Sequence, residues 1–239
     1  MRNQPISIPH ADRLIVALDV PNIDEAKALV RLLRESANFY KLGLELFMAD
    51  GYFGLIDWLA RQQKKVFVDL KFFDVPETVR AAVRGLRNRG VTFATVHGNQ
   101  AMLEAAGKDK GDVKILAVTA LTSLDQGDLD DLGFQCDVPK LVLSRARRAL
   151  QAGCDGVVSS GLEAPALRRE LGGRVLIVTP GIRPVENRAA DDQKRTVDVA
   201  QAFANGADYI VVGRPIRQAA DPRAAAEAIQ ATIATACPN

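Results

Sequence analysis

The 239-residue sequence is poor in the residues that build disulfide and metal sites. It has two histidines and three cysteines, and Cys136, Cys154 and Cys237 stand far apart without a C-x-x-C pair. An odd number of widely spaced cysteines predicts neither a disulfide framework nor a zinc site. We therefore expect reduced thiols, no bound metal and a cytoplasmic location.

The chain also lacks long apolar runs and a strong excess of charge. No run approaches the ~20 apolar residues of a membrane span, and residues 1–12 lack the apolar stretch of a signal peptide. The formal net charge of +2 is too small to favour nucleic acid or a membrane surface as a partner. The G-x-G-x-x-G and P-loop motifs do not occur, so neither a dinucleotide nor a nucleoside triphosphate is predicted.

Short apolar runs alternate with amphipathic stretches along the whole chain. The amphipathic stretches Ile23–Arg34, Glu77–Arg89, Lys140–Ala152 and Pro222–Ala236 are typical of helices. No two strands are joined by a hairpin turn, which favours parallel strands with helical crossovers. Eight such units in about 230 residues predict an α/β fold, a (β/α)8 TIM barrel that forms a single domain over residues 1–239. The predicted strands are Leu14–Leu18, Phe39–Leu42, Val66–Leu70, Phe93–Val96, Ile115–Ala120, Gly156–Ser159, Val175–Val178 and Tyr209–Val212.

Two segments are long for loops that follow strands. Thr122–Cys136 comes after the fifth predicted strand and Gly181–Thr196 after the seventh, and neither has a regular apolar pattern. Long irregular loops in a compact domain often bind ligands or close over a site. We expect both segments to be irregular and to lie at the functional site.

Polar residues collect where the predicted strands end. The carboxyl ends of the strands form one rim of such a barrel, and active sites lie there, so we expect these residues to converge. Two of them could instead be structural, since Asp19 could cap the helix after Pro21 and Lys41 could extend its amine to solvent. The set comprises Asp19, Lys41, Asp69, Lys71, His97, Thr122, Ser123, Pro180, Arg183, Gly213 and Arg214.

The loops after the seventh and eighth strands carry groups suited to phosphate, and such loops often bind phosphate in these barrels. Arg183 and Arg214 offer paired donors that match phosphate oxygens, and Gln193 lies between them in sequence. Gly213 has no side chain, so its amide could approach an anion closely. A surface salt bridge is the alternative for Arg214.

The segment Asp69–Thr78 contains the most specific pattern in the chain. It follows the apolar run Val66–Val68 and reads D-x-K-x-x-D-x-P-x-T. On an extended backbone the side chains of Asp69 and Lys71 share one face. Opposite charges on a buried face are costly unless paired, so this pair alone indicates either chemistry or a structural ion pair.

The longer pattern resembles the signature of the orotidine 5'-phosphate decarboxylase family. Further matching pieces follow in the expected order over nearly the whole chain. They are Leu18-Asp19, Tyr40-Lys41, Thr95–His97, Leu121–Ser123, Pro180–Arg183, Asp192-Gln193 and Val212–Ile216. The resemblance implies a (β/α)8 barrel that converts orotidine 5'-monophosphate to uridine 5'-monophosphate (UMP) and CO2, the last step of de novo pyrimidine biosynthesis, without a cofactor or metal.

The resemblance also implies residue roles. Lys71 would be the proton donor in an array of Lys41, Asp69, Lys71 and Asp74, and Asp74 and Thr78 would reach the partner's site in a homodimer. The remaining roles are substrate contacts. Asp19 and Lys41 would contact the ribose hydroxyls, Thr122 and Ser123 the pyrimidine, and Arg183, Gln193, Gly213 and Arg214 the phosphate, with Pro180 a further contact.

Other classes of protein remain open at this point. A metal-dependent phosphosugar enzyme, such as a hexulose-phosphate synthase or a keto-gulonate-phosphate decarboxylase, would need an acidic metal ligand at the end of strand two, where this chain has Lys41. A ribulose-phosphate epimerase would need several metal-binding histidines, and His97 is alone among the strand ends. A non-catalytic nucleotide-binding barrel would not need both Lys71 and its flanking aspartates. His97 itself fits a packed, hydrogen-bonded residue as well as a participant in chemistry.

Overall fold

The computed structural model describes residues 8–183 and 196–237, in which eight parallel strands follow one another around a closed barrel. Each strand pairs with the next, and the first strand closes the barrel by pairing with the eighth. The predicted (β/α)8 barrel is thus confirmed. The strands are β1 Leu14–Ala17, β2 Phe39–Leu42, β3 Lys65–Phe72, β4 Val91–Val96, β5 Lys114–Val118, β6 Gly156–Val158, β7 Leu176–Thr179 and β8 Tyr209–Val212.

Helices connect the strands and cover the outside of the barrel. Several begin after an Asn or Asp whose side chain accepts a backbone N–H of the first turn, a cap that stabilises a helix by about 1 kcal/mol. None of the described helices combines the length and the apolar character needed to cross a membrane. The helices are α1 His10–Arg13, α2 Ile23–Leu33, α3 Leu44–Phe47, α4 Tyr52–Arg61, α5 Pro76–Arg84, α6 Gln100–Lys108, α7 Gln126–Asp131, α8 Val138–Gln151, α9 Ala164–Leu171, α10 Val199–Ala204, α11 Arg214–Arg217 and α12 Pro222–Ala236, with 3-10 turns at Arg34–Ser36 and Gly172–Arg174.

The predicted bounds differ from the observed ones in ways that have local causes. The helix predicted at Glu77–Arg89 starts at Pro76, whose fixed φ suits the first helical position, and it ends at Arg84. The expectation that Thr122–Cys136 is irregular throughout is wrong, because α7 lies within it. Asp125 and Asp128 form a capping box at the start of that helix.

The interior of the barrel has an aromatic layer beneath a polar one. Phe39, Phe67, Phe93 and Tyr209 pack together inside the barrel, with ring centroids 5.1 Å apart for both the Phe39–Phe93 and Phe93–Tyr209 pairs. Side chains two positions further along a strand point to the same face. The polar layer above Phe39, Phe67 and Phe93 therefore consists of Lys41, Asp69 and Thr95.

The pairing of β3 with β4 is irregular at the level of this polar layer. Val68 pairs with Ala94, but the next pair is Phe72 with Val96. Between these two pairs β3 advances by four residues and β4 by two. Within this bulge Lys71 has a φ of 49°, a left-handed conformation that non-glycine residues seldom adopt. The bulge also explains why β3 extends beyond the predicted end at Leu70.

Candidate active site

A cavity of about 530 Å3 opens at the carboxyl ends of the strands. It gathers all the strand-end residues singled out in the sequence apart from His97. It also includes apolar walls from Leu121, Val118 and Val158 and a further cation, Arg217, and the sequence had assigned a role to none of these four residues. The predicted residues that line the cavity are Asp19, Lys41, Asp69, Lys71, Thr122, Ser123, Pro180, Arg183, Gly213 and Arg214.

Charged groups alternate in sign at the base of this cavity. Lys41 Nζ lies 2.9 Å from Asp19 Oδ1 and 3.6 Å from Asp69 Oδ2. Lys71 Nζ lies 3.0 Å from the other oxygen of Asp69, Oδ1. Asp69 therefore bridges two ammonium groups. The alternatives for Asp19 and Lys41 do not hold, since Asn22 caps the following helix and the Lys41 amine is buried in an ion pair.

Burial and pairing act in opposite directions on the charges of this array. Burial alone would raise the pKa of Asp69, but the ammonium groups of Lys41 and Lys71 hold that pKa below its ordinary value. Burial alone would lower the pKa of Lys41, but the carboxylates of Asp69 and Asp19 keep it above its ordinary value. Asp69 is consequently an anion and Lys41 a cation at neutral pH.

A buried hydroxyl links the two residues of the D-x-K pair. Thr95 Oγ1 donates a hydrogen bond to Asp69 Oδ1 at 2.9 Å and accepts one from the backbone N–H of Lys71 at 2.9 Å. Thr95 had no predicted role. Its place in the matching piece Thr95–His97 was a sequence signal, but its contact with Asp69 could be recognised only from the register of β3 and β4.

The predicted phosphate residues lie around one side of the cavity mouth. Arg183 is buried and donates from Nη1 to the carbonyl of Ile182 at 2.8 Å. The backbone N–H of Arg183 donates a hydrogen bond to the carbonyl oxygen of Val197 at 3.0 Å. This bond connects the start of the loop after β7 to the end of that loop. Gly213 and Arg214 follow β8 directly, with Arg214 half-buried. Gln193 lies outside the described residues.

His97 is the one strand-end residue that does not line the main cavity. It lies in a neighbouring cavity of about 440 Å3 with Phe73 and Arg145, and its ring meets that of Phe73 edge-on at 5.5 Å. Burial, followed by the charges of Arg145 and Lys71, lowers the pKa of His97. The structure thus favours a packed, neutral imidazole beside the site.

Asp74 and Thr78 are exposed on the far side of Lys71. Both line a third cavity, of about 340 Å3, which they share with Lys71, Phe47 and Phe73. Asp74 Oδ1 accepts the N–H of Val75 at 2.6 Å. Across residues 8–183 and 196–237 no lysine or arginine forms a salt bridge with Asp74, so the array within one chain runs from Asp19 to Lys71.

The same part of the chain contains no group of three His, Cys, Asp or Glu side chains that could hold a metal ion.

Comparison with known proteins identifies the family of this chain. The model of the family described as "Orotidine 5'-phosphate decarboxylase / HUMPS family" matches residues 12–229. The chain belongs to this family. The resemblance and the expectation of a carboxy-lyase-type enzyme are thereby confirmed.

Named relatives cover almost the full length of the chain. An orotidine 5'-phosphate decarboxylase of Methylococcus capsulatus is 68% identical over 233 residues, 98% of this chain and 96% of the relative. One of Xanthomonas campestris is 53% identical over 238 residues, 99% of this chain and 98% of the relative. The crystal structure of the Lactobacillus acidophilus enzyme of that name superposes with a TM-score of 0.82 at 36% identity, covering 93% of this chain and 99% of the other.

Proposed function

We propose that this chain decarboxylates orotidine 5'-monophosphate to UMP and CO2 without a cofactor or metal, as a step of pyrimidine biosynthesis in the cytoplasm. The observation that carries the proposal is the pairing of Asp69 with both Lys41 and Lys71 at the base of the cavity. The names of the close relatives give the substrate. The three free thiols fit a reducing compartment.

Lys71 is the proposed proton donor. When the bond between the pyrimidine carbon and the carboxylate breaks, CO2 leaves and the electron pair stays on the carbon. An ammonium group beside that carbon stabilises the developing negative charge and then transfers its proton to form the C–H bond of UMP. The Lys71 amine recovers a proton from water before the next turnover.

Asp69 has two proposed effects on this step. It fixes the ammonium of Lys71 at 3.0 Å, so the donor is in place before the substrate reacts. Its negative charge also opposes the substrate carboxylate in the ground state, and that repulsion ends as neutral CO2 departs. Lys41, at 3.6 Å from the second oxygen of Asp69, keeps the carboxylate ionised throughout.

The roles proposed for the rest of the cavity are those that the family resemblance implies, and the groups present fit them. Asp19 and Lys41 contact the ribose hydroxyls, as an acceptor and a donor respectively. Thr122 and Ser123 contact the pyrimidine ring, and Pro180 is a further substrate contact. Arg183, Gly213 and Arg214 hold the phosphate, together with Gln193 from outside the described residues. Binding energy from this remote anion is then available to lower the barrier at the reacting carbon.

We also propose a homodimer in which Asp74 and Thr78 complete the partner's site. Their surroundings support this, because Leu44, Phe47 and Phe73 are large apolar side chains that are between two fifths and two thirds exposed around the third cavity. Exposed apolar groups of this size, when contiguous, mark interaction surfaces. In the dimer, Asp74 would extend the alternating array beyond Lys71 of the other subunit.

The test replaces the proposed donor and compares it with a lysine of the same strand. Lys71→Ala should lower kcat by at least ~10³-fold, because both the proton donor and the charge next to the carbanion are removed. Lys65→Ala is the control, since Lys65 starts β3 at the opposite end of the barrel and pairs with Asp12. Far-ultraviolet circular dichroism checks the fold of each variant. A Lys71→Ala enzyme with kcat within tenfold of wild type would contradict the assignment.

A further inference from the structure

The Thr95 hydroxyl occupies a position between the two groups on which the proposed chemistry depends. Thr95 is 0% exposed, and its hydroxyl forms two hydrogen bonds, one to Asp69 Oδ1 and one from the backbone N–H of Lys71, each at 2.9 Å. We propose that Thr95 is a positioning residue that holds Lys71 and Asp69 in the geometry for proton delivery, an inference that rests on the proposed function.

The direction of each hydrogen bond follows from the chemistry of the partners. A backbone N–H can only donate, so the Thr95 oxygen must accept the bond from Lys71. An ionised carboxylate can only accept, so the single hydroxyl proton must point at Asp69. The hydroxyl therefore has one orientation, and the two bonds reinforce each other as neighbouring links in a hydrogen-bonded chain.

The bond to Lys71 stabilises an unfavourable backbone. With a φ of 49°, Lys71 is in the left-handed conformation, which is unfavourable for a non-glycine residue unless its surroundings impose it. Residues 69–71 lie in the bulge, where no position on β4 is their ladder partner. The Thr95 hydroxyl oxygen accepts the hydrogen bond from the Lys71 N–H that a carbonyl of a paired strand would otherwise accept. This contact holds the peptide so that the Lys71 side chain turns toward the cavity.

The bond to Asp69 decides how the carboxylate is rotated. Oδ1 receives both the Thr95 hydroxyl and the Lys71 ammonium, whereas Oδ2 faces the Lys41 ammonium at 3.6 Å. Without the hydroxyl, the carboxylate plane can rotate between the two lysines. Thr95 therefore assigns one oxygen to each lysine and keeps the proton donor fixed relative to the cavity.

Thr95 does not line the main cavity, so it acts on the substrate only through Asp69 and Lys71. Removing its hydroxyl should misplace the donor without weakening substrate binding. A misplacement of about 1 Å near reacting atoms lowers rates by about 10²-fold. We expect Thr95→Val to lower kcat by 10- to 100-fold, with KM for orotidine monophosphate within about threefold of wild type. Thr95→Ser keeps the hydroxyl and should stay within about threefold of wild-type kcat.

Thr119→Val is the matched control. Thr119 is another fully buried threonine, close to the end of β5, and its hydroxyl donates to the Val158 carbonyl at 3.0 Å rather than to a charged side chain. A purely structural effect would reduce the activities of Thr95→Val and Thr119→Val alike. If Thr95→Val does not fold, Thr95→Ala removes the same hydroxyl without placing a methyl group against Asp69.

Crystal structures of wild type and Thr95→Val provide a readout that does not depend on turnover. We expect the Lys71 backbone to leave the left-handed region or its Nζ to move by more than about 1 Å from Asp69 Oδ1. Lack of turnover by wild type would refute the proposed function while the crystal comparison still decides the positioning role. The positioning role would be overturned by an unchanged Lys71 conformation in the Thr95→Val crystal structure. Wild-type kcat in Thr95→Val, or an equal loss of kcat in Thr119→Val, would also overturn it.

Discussion

Replacing Asp69 with asparagine should reveal how strongly the charged array stabilises the fold. Asp69 is 13% exposed, and its oxygens lie 3.0 Å and 3.6 Å from two ammonium groups. At an effective dielectric constant of about 20, each attraction amounts to roughly 5 kcal/mol before desolvation is subtracted. Removing one partner of a buried pair costs about 3–5 kcal/mol. Because Lys71 is 32% exposed and water can reach it, we expect Asp69→Asn to cost about 2–4 kcal/mol at pH 7.

The pH dependence of this loss provides the second part of the test. The pKa of Asp69 lies below its ordinary value in the folded chain, so its contribution is fully present well above the unfolded value of about 3.9. The contribution disappears as the pH falls through the lower folded pKa. Urea unfolding of wild type and Asp69→Asn, at one fixed protein concentration, should therefore give free energies of unfolding that converge in acid.

A surface carboxylate serves as the control for Asp69. Asp57 is about half exposed and lies 3.8 Å from Arg89, so Asp57→Asn should change the free energy of unfolding by less than about 0.5 kcal/mol. Equal stability of wild type and Asp69→Asn at pH 7, or a difference that persists unchanged below the folded pKa, would refute the electrostatic reasoning.

Three further outcomes follow from particular side chains. Phe73→Asp should convert the proposed dimer to a monomer in size-exclusion chromatography, whereas Leu32→Asp on the outside of α2 should not; a Phe73→Asp dimer would contradict the proposed interface. Gly156→Ala should cost about 2 kcal/mol or more in urea unfolding, because its Cβ would lie 2.6 Å from Leu176 O, whereas Gly173→Ala has open space and should lose nothing. Burial raises the pKa of Cys154 to about 12, so Ellman's reagent at pH 8 should modify this thiol only after unfolding.

The sequence predicted the parts of the fold that depend on local pattern. The strands at Phe39–Leu42 and Tyr209–Val212 and the final helix at Pro222–Ala236 begin and end where their apolar patterns do. Helix α7 was missed because Gln126–Asp131 has a single buried apolar residue, Leu129, and no apolar stripe. Its capping box was the only local signal.

The part of the site that depends on the alternation of side chains along each strand could be predicted from the sequence. Lys41 and Asp69 meet because each follows an inward-facing phenylalanine by two positions on neighbouring strands. The left-handed conformation of Lys71 was not predictable, because it depends on a register shift between β3 and β4. His97 was expected at the same rim, yet its ring packs against Phe73 in the adjacent cavity.

The central claim is tested most directly by following the ultraviolet absorbance of orotidine monophosphate with purified wild-type protein in EDTA. We predict rapid loss of the substrate's absorbance, one equivalent of UMP formed per equivalent consumed, and no such change with Lys71→Ala. No turnover by the wild type, or turnover that begins only after magnesium is added in excess of EDTA, would contradict a metal-free decarboxylase.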